Sequence, residues 1–269
     1  MTKLVLILLI FLILLSVPFT LDFSYVRLYL IGETKVSVIE QCCYPCHHRV
    51  LFINLHDNES TSVKAAEQYL NEIGGRIINI ENNGERFINF RHKDQYFSFD
   101  PNRIFSPAGI DSTIKLLSSC YDPGAAKEVS KFATTLAAQY IDSSNLIISL
   151  HNNMDSSLSV ISYRNDIVIN QDLGKVFINS AMDADDFILT TDTTLFYRIK
   201  EKNINVVWEN VNAIEDDGSL SVYAAHHNIP YINVEAQHEH AKEQFAMLTL
   251  LEEIIKEYRQ ENTKYDNEK

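Results

Sequence analysis

Short apolar runs alternate with longer amphipathic segments from residue 49 onward, and this alternation constrains the fold more than any other feature of the sequence. RVLFINL, RIINI, NLIISL, FILTT, INVVW and PYINV have the length and the β-branched content of buried strands. Segments such as 60–75 and 123–141 lie between them and have the spacing and capping residues of helices. This order predicts an α/β fold: a single domain with a mixed, mostly parallel twisted sheet flanked by helices.

The limits of the domain follow from where the alternation begins and ends. Residues 49–260 are predicted to form the folded domain, and residues 241–260 within it are predicted to form one long amphipathic helix. Residues 24–48 precede the domain as a cysteine-rich lead-in, and residues 261–269 are predicted to be a frayed tail. No internal repeat or low-complexity linker divides the 269 residues, which suffice for one large domain.

The N-terminal segment differs in composition from the rest of the chain. After a positively charged start, every residue from Leu4 to Leu15 is apolar. Such a run is typical of an export signal, and its extension through residue 23 gives the roughly 20 residues that a membrane-spanning helix needs. Residues 1–23 are therefore predicted to be a cleaved signal or an uncleaved anchor, with residues 4–23 as a membrane tether. Both versions predict a protein that works outside the cytoplasm, in the periplasm or at the membrane.

The charge of the chain argues against one class of partner. It carries 36 acidic and 23 basic side chains, for a formal net charge of −13. Sequence-independent binding to nucleic acid requires clustered lysines and arginines that neutralise phosphates. We therefore expect no nucleic-acid partner and no binding to an acidic membrane surface through charge.

Three cysteines cluster ahead of the first predicted strand of the domain. Cys42, Cys43 and Cys46 lie within QCCYPCHH, and Cys120 lies far along the chain. CYPCH matches the C-x-x-C-H pattern of covalent haem attachment in exported proteins. A haem at this point would have to displace the edge of the sheet. A small metal site that includes the two following histidines is a second alternative, and a disulfide or thiols is the interpretation that we favour.

Two predicted strands end in polar residues that suit a metal ion. LFINLHDNES closes its apolar run with His56 and Glu59, and NLIISLHNN ends in His151. Ligands collect beyond the carboxyl ends of strands in an α/β sheet, so we expect these side chains to meet. Two histidines and a carboxylate leave one position of a tetrahedral zinc open for water. Glu235, in YINVE, is a carboxylate inside another apolar run. Burying an unpaired carboxylate costs free energy, so its presence there indicates a functional role.

A second H-x-x-E pattern has a simpler interpretation. His240 and Glu243 lie in the predicted last helix, where a spacing of three residues puts both on one face. We interpret them, and the neighbouring His238 and Glu239, as surface residues.

The segment FSFDPNRIFS, residues 97–106, adds a further motif between these elements. In this order, the H-x-x-E pair, an Asp-x-Asn-Arg motif, a later histidine after a strand and a glutamate in a late strand resemble the zinc carboxypeptidase superfamily. That superfamily includes the pancreatic-type carboxypeptidases and the branch of aspartoacylase and succinylglutamate desuccinylase. The resemblance covers roughly residues 48–250, and the compact interval between Glu59 and His151 looks like that of the shorter branch.

The resemblance implies one zinc ion (Zn²⁺) per chain, held by His56, Glu59 and His151. Asp100 would hold the imidazole of His56 and so fix its tautomer and orientation. Glu235 would act as general base and then as general acid to the departing amine.

The resemblance also implies how a substrate would be held. Asn102 and Arg103 would bind its free carboxylate, because a planar guanidinium offers a carboxylate two parallel charged hydrogen bonds. Arg91 is expected to polarise the scissile carbonyl, with Arg86 as the alternative. Tyr223 is the nearest candidate for the mobile-loop tyrosine of the pancreatic-type enzymes, with a packing role as its alternative.

These expectations together predict an exported or membrane-tethered zinc hydrolase that cleaves an amide bond next to a free carboxylate. The activity that we favour is that of a carboxypeptidase acting on peptides, cell-wall peptides among them. The alternative activity is that of a deacylase of N-acyl amino acids. A zinc-free relative that binds carboxylate-ended peptides without cutting them is the alternative from a different functional class, and a haem-containing electron carrier is a third.

Overall fold

Strands and helices alternate along residues 23–155 and 158–260, which are the residues that this computed structural model describes. The strands are β1 (Phe23–Ile31), β2 (Thr34–Cys43), β3 (Val50–Asn54), β4 (Gly75–Glu81), β5 (Ile88–His92), β6 (Gln95–Phe99), β7 (Leu146–Asn153), β8 (Gly174–Phe177), β9 (Phe187–Thr190), β10 (Val206–Glu209) and β11 (Tyr231–Gln237). The α-helices are α1 (Ser60–Ile73), α2 (Pro107–Leu117), α3 (Pro123–Leu136), α4 (Val160–Ile169), α5 (Thr193–Glu201), α6 (Leu220–His226), α7 (Ala241–Leu250) and α8 (Glu252–Gln260).

Nine of these strands form one sheet in the order β1-β2-β4-β3-β7-β11-β9-β10-β8, and β5 and β6 form a separate ribbon. The central strands β4, β3, β7 and β11 are parallel, and so are β9 and β10. The other neighbours in the large sheet are antiparallel. The predicted α/β fold with a mixed sheet is confirmed, and its longest parallel section lies at the centre.

Helices cover both faces of the sheet, so the central strands are buried on both sides. Helices α2, α3 and α6 pack on one face, and α1, α5, α7 and α8 pack on the other. Every residue of β3 and of β7 is buried as a result. This explains why both strands begin with consecutive apolar residues, VLFI in β3 and LII in β7, rather than with an alternating pattern.

Residues 24–48, which we expected to precede the domain, form β1 and β2 at one edge of the same sheet. β2 pairs with β4 from Ser37 to Cys43. Its sequence TKVSVIEQCC has a period of two that buries Val36 and Val38. The edge hairpin therefore continues the sheet of the domain.

The cysteine cluster contains a disulfide. Cys42 and Cys46 are joined, whereas Cys43 and Cys120 are outside any disulfide. The thiol of Cys43 donates a hydrogen bond to the side-chain oxygen of Asn71 on α1. Because Cys46 is part of the disulfide, the C-x-x-C-H segment does not present the pair of thiols that haem attachment needs.

The C-terminal helix predicted over residues 241–260 is divided into α7 and α8. Leu251 lies between them and is fully buried, and the break lets α8 pack Ile254 and Ile255 on the same core. Residues 1–22, which contain nearly all of the predicted signal or anchor, and the predicted tail 261–269 lie outside the described residues. Among the helices of residues 23–155 and 158–260, none is both long enough and apolar enough to cross a bilayer.

Candidate metal centre

His56, Glu59 and His151 meet at the carboxyl ends of the central strands. His56 follows β3, Glu59 is the residue that precedes α1, and His151 lies within β7. Because β3 and β7 are parallel neighbours, their carboxyl ends lie side by side. All three side chains are buried, and one nitrogen or oxygen atom of each lies within 4.8 Å of the others.

The distances within this cluster fit a tetrahedral metal ion. The Nδ1 atoms of His56 and His151 are 3.3 Å apart; Oε1 of Glu59 lies 3.0 Å from the first, and Oε2 of Glu59 lies 2.9 Å from the second. Two ligand atoms of a tetrahedral zinc are about 3.3 Å apart, because each bond to nitrogen or oxygen is about 2.0–2.1 Å long. Within the described part of the chain, this is the one group of three such residues close enough to share an ion.

The hydrogen bonds around the cluster turn lone pairs towards its centre. Nε2 of His56 lies 2.8 Å from Oδ1 of Asp100, so His56 donates its ring proton there when the imidazole is neutral. Its Nδ1 then presents a lone pair to the Glu59 carboxylate, which accepts only. Such an arrangement requires a cation at the centre, either a metal ion or a proton. Zinc, which takes imidazole and carboxylate ligands, therefore suits this donor set.

Charge and burial shift the pKa values of the cluster in opposite directions. Burial by itself would lower the pKa of His56, but hydrogen bonds and charge interactions with Asp100 and Glu59 outweigh burial and raise it. Burial would likewise raise the pKa of Glu59, yet His151 and His56 hold it well below its usual range. The cluster thus keeps Glu59 ionised and available as a ligand.

Asp100 orients His56 through one carboxylate oxygen. Oδ1 of Asp100 accepts from His56 and, at 2.8 Å, from the backbone N–H of Asn102, while its own backbone N–H donates to Thr113 on α2. Burial would raise the pKa of Asp100, but the hydrogen bond and charge of His56 outweigh burial and lower it to about 2. Asp100 therefore contacts the imidazole as the motif predicts, and it is itself held by backbone and side-chain contacts.

Glu235 is a buried carboxyl next to the cluster. It lies on β11 opposite His151 of β7, and it lines a cavity of about 320 Å³ together with Glu59, Arg86 and His151. Asn233 donates a hydrogen bond of 3.0 Å to its Oε1. Burial raises the pKa of Glu235, and the nearby His151 offsets only part of this effect. A carboxyl with a raised pKa in a cavity is suited to accept and return a proton.

The arginine that reaches the cluster is Arg86. Its Nη1 lies 2.6 Å from Oε1 of Glu59, and its Nη2 lies 3.7 Å from Asp100. The guanidinium of Arg91 instead pairs with Glu33 and Asp94, whose side chains are 52% and 88% exposed. The structure thus brings Arg86, the alternative of the two, to the candidate site and does not bring Arg91 there.

Asn102 and Arg103 form a short 3₁₀ turn directly after Asp100. Oδ1 of Asn102 accepts from the backbone N–H of Leu220, which ties this turn to the start of α6. The guanidinium of Arg103 donates to the carbonyl of Asn102, and its Nη2 lies 3.5 Å from Asp217. With 41% of its side chain exposed, Arg103 can exchange this carboxylate partner for another.

Tyr223 lies on α6, away from the cluster. Its hydroxyl donates to Asp142, its ring stacks on His227 with centroids 3.9 Å apart, and Phe105 packs beside it. It lines a separate apolar cavity of about 260 Å³. These contacts agree with the packing role that was the alternative for Tyr223.

The second H-x-x-E pattern is separate from the cluster. Nδ1 of His240 lies 3.1 Å from the buried Asp186, and Glu243 is exposed in the first turn of α7. His238, which we expected on the surface, lines the same cavity as Glu235.

Glu209 is a residue near this region that the sequence analysis missed. It ends β10, and burial, with the charge of Asp217, raises its pKa to about 7, whereas Arg103 lowers it. Burial raises the pKa of Tyr231 on the neighbouring strand β11; the negative charges of Glu235 and Glu209 add to this effect, and Arg103 opposes it. INVVWEN ends in a glutamate as YINVE does, so the same pattern that selected Glu235 could have found Glu209.

Comparison with known proteins gives similarities in structure. No protein-family model and no curated protein matches the sequence. The murein-tripeptide amidase from Escherichia coli O157 has 15% identity and a TM-score of 0.46, over 86% of this chain and 91% of that chain. An aspartoacylase family protein from Mesorhizobium loti has 14% identity and a TM-score of 0.44, over 83% and 65%.

A third similar structure is bovine thrombin-activatable fibrinolysis inhibitor, solved in complex with tick carboxypeptidase inhibitor. It has 9% identity and a TM-score of 0.43, over 91% of this chain and 92% of that chain. The likeness concerns the fold alone, and the chemistry of the metal centre rests on its own side chains.

Proposed function

We propose that the protein is a zinc-dependent hydrolase that cleaves an amide bond next to a free carboxylate, and that its main activity is that of a carboxypeptidase on peptides. One observation carries the proposal. His56, Glu59 and His151 present converging donor atoms at separations that suit a tetrahedral ion, and the buried carboxyl of Glu235 lines the same cavity as Glu59 and His151. A structural metal site would need no such neighbouring carboxyl.

The chemistry divides between the ion and the side chains. A zinc ion held by this donor set would polarise a carbonyl and acidify a water molecule. Glu235 takes the proton from water as the water oxygen adds to the amide carbon. It returns this proton to the amine nitrogen as the C–N bond breaks. The burial that raises the pKa of Glu235 helps it to hold the proton between the two steps.

Two arginines supply positive charge for the substrate. Arg86, at the cluster and 41% exposed, donates to the carbonyl oxygen as negative charge develops on it. Arg103 holds the free carboxylate of the substrate, which replaces Asp217 as the partner of its guanidinium. An amide bond one residue from a free carboxylate is therefore the bond that we expect to be cleaved.

The location of the protein is part of the proposal. The apolar run from Leu4 to Leu15 supports export or membrane attachment, and the Cys42–Cys46 disulfide is typical of a compartment outside the cytoplasm. Peptides of the cell wall are substrates that such a location would offer.

Metal content and peptide hydrolysis test the proposal together. The full chain, stripped of metal and then reloaded with zinc, is expected to retain one zinc ion per chain, and His151→Ala is expected to lose it. The zinc-loaded protein should release the last residue of a peptide with a free carboxylate and leave the same peptide with a C-terminal amide intact.

Each alternative predicts its own result in this assay. Cleavage of N-acyl amino acids without cleavage of tripeptides would replace the peptidase with the deacylase. Peptide binding that persists without zinc and is abolished by Arg103→Ala would favour the non-catalytic relative. Failure of the wild-type chain to bind zinc would overturn the hydrolase.

A further inference from the structure

The outer strand β1 carries a row of exposed apolar side chains. Val26, Leu28 and Leu30 alternate along the strand, so they share one face of the sheet, and they are 60%, 63% and 65% exposed. Across the hairpin, Val26 is opposite Ile39 of β2, and Leu30 is opposite Lys35. An exposed apolar row of this kind on an edge strand calls for an explanation by binding.

The row is exposed because the helices of that face do not reach it. α1 packs against β2, β3 and β4, and the core that it forms with α7 and α8 contains none of the three side chains. On the opposite face of β1, by contrast, Tyr29 and Ile31 pack against the core that contains α3. The sheet is therefore covered on both faces as far as β2, and on one face only along the second half of β1.

Aromatic residues surround the end of β1 that is closest to the apolar N-terminal run. Phe23 and Tyr25 are 44% and 56% exposed, and their rings are in edge-to-face contact at 5.4 Å. Phe23 is opposite Cys42, and Tyr44, two residues further along the chain, is 65% exposed. Aromatic side chains with an apolar body are enriched at the interface between a bilayer and water.

We propose that this β1 surface, the exposed edge of the sheet, rests in the headgroup region of a lipid bilayer. It carries Val26, Leu28 and Leu30 on one face of the strand and Phe23 and Tyr25 on the other, with Tyr44 beyond the paired end of β2. The sequence indicates this occupant. The apolar run ends at Leu15, eight residues before Phe23, and eight extended residues span at most roughly 29 Å. A bilayer that receives the apolar run thus lies within reach of β1.

The backbone of β1 suits the headgroup region rather than the hydrocarbon core. Its outer edge has no neighbouring strand in the described sheet, so these N–H and C=O groups need water or lipid polar groups as partners. The headgroup region supplies both and still buries apolar side chains to a depth of about 5–10 Å.

A second copy of the chain is a weaker candidate for this surface. Two copies would each bring a formal net charge of −13, and like charge opposes their association. A standard interface also buries about 800 Å² and roughly 20–30 residues per partner, more than the six side chains of this surface supply. The same net charge favours a zwitterionic bilayer over an anionic one.

The single tryptophan of the chain makes a direct test possible. Trp208 lies on β10, seven strand positions from β1, or roughly 34 Å across the sheet. Full-length protein is reconstituted into phosphatidylcholine vesicles whose acyl chains carry bromine, a quencher of tryptophan fluorescence, close to the headgroup. The wild type reports from Trp208, and the double variant Leu28→Trp with Trp208→Phe reports from β1. A second reporter, Leu30→Trp with Trp208→Phe, guards against poor folding of the first.

We expect both β1 reporters to lose much of their emission in brominated vesicles relative to unbrominated ones, and Trp208 to keep its emission. Bromine deep in the acyl chains should quench the tryptophans on β1 less than shallow bromine does. Equal emission from the β1 reporters in brominated and unbrominated vesicles would overturn the proposal. If the β1 reporters are not quenched and the protein elutes as a dimer, the surface is covered by a second copy instead. Failure of the full chain to float with the vesicles would also overturn the proposal.

Discussion

Glu235 and His151 are directly opposite one another in the register of β11 and β7. On neighbouring parallel strands, register partners point to the same face, so the buried carboxyl and the histidine of the cluster share one side of the sheet. Their separation is set by the spacing of two rigid strands at the centre of the fold. The proton-transfer group and the metal ligand of the proposed hydrolase are thus held in place without any loop between them.

Replacing Glu235 should separate hydrolysis from metal binding. Glu235→Gln removes the proton acceptor and keeps the size of the side chain, so we expect kcat to fall by about 10²–10⁴-fold while zinc content stays at the wild-type value. Steady-state kinetics and metal analysis on one preparation measure both. Glu243→Gln, the same change in the exposed second H-x-x-E pattern, is the matched control and should leave kcat unchanged. Wild-type kcat in Glu235→Gln would remove this residue from the mechanism.

Asp100 should govern the affinity of the site for zinc. Asp100→Asn weakens the acceptor for the ring proton of His56, so we expect zinc affinity to fall by about 10–100-fold. Competition with a chelator of known affinity measures the change. Asp94→Asn is a suitable control, because 88% of the Asp94 side chain is exposed on the β5–β6 ribbon. Equal zinc affinity in both variants would show that Asp100 does not support the ligand.

Gln244 should contribute to stability by joining the two central strands. It is fully buried on α7, donates to the backbone carbonyls of His151 and Val234, and accepts from Asn152. Gln244→Ala leaves these groups without their partner, and we expect the free energy of unfolding to fall by about 3 kcal/mol. Urea denaturation measures this. Lys242→Ala, on the exposed side of the same helix, should change it by less than about 0.5 kcal/mol.

Glu209 should make stability depend on pH. Its folded pKa is raised to about 7 from 4.5, mainly by burial, so the folded state holds the proton more tightly than the unfolded state does. The resulting stability is complete below pH 4.5 and is lost as pH rises through about 7. Across this window the unfolding free energy of the wild type should fall, relative to Glu209→Gln, by up to about 3 kcal/mol. Urea denaturation at several pH values measures the difference, and an equal slope in both proteins would contradict it. The exposed Glu215→Gln should behave as the wild type.

Much of the candidate centre could be predicted from local sequence. His56, Glu59, His151 and Glu235 each stand at or near the end of an apolar run, where parallel strands in an α/β sheet present their functional groups. The contact between Asp100 and His56 followed from a motif in which the aspartate directly follows β6. Short segments carry this information because the strands that hold the residues are continuous and buried.

The roles of Arg86, Arg91 and Tyr223 depend on tertiary contacts that the spacing of residues along the sequence does not predict. Arg86 and Arg91 differ by five positions, but the first lies in the turn before β5 and the second lies on β5. The course of that ribbon turns the guanidinium of Arg86 towards Glu59 and that of Arg91 towards Glu33 and Asp94. For Tyr223, the position of α6 beside Phe105 and Asp142 decided the outcome.

The sequence by itself determined the α/β class, the central apolar strands and the residues at their carboxyl ends, because period and polarity are local properties of the chain. The tertiary structure alone decided which arginine reaches the cluster, that β1 and β2 extend the sheet, and that burial raises the pKa of Glu209. These outcomes depend on which distant segments pack together. Packing follows from the sum of many weak contacts across the whole fold, and a pattern of a few residues does not contain that sum.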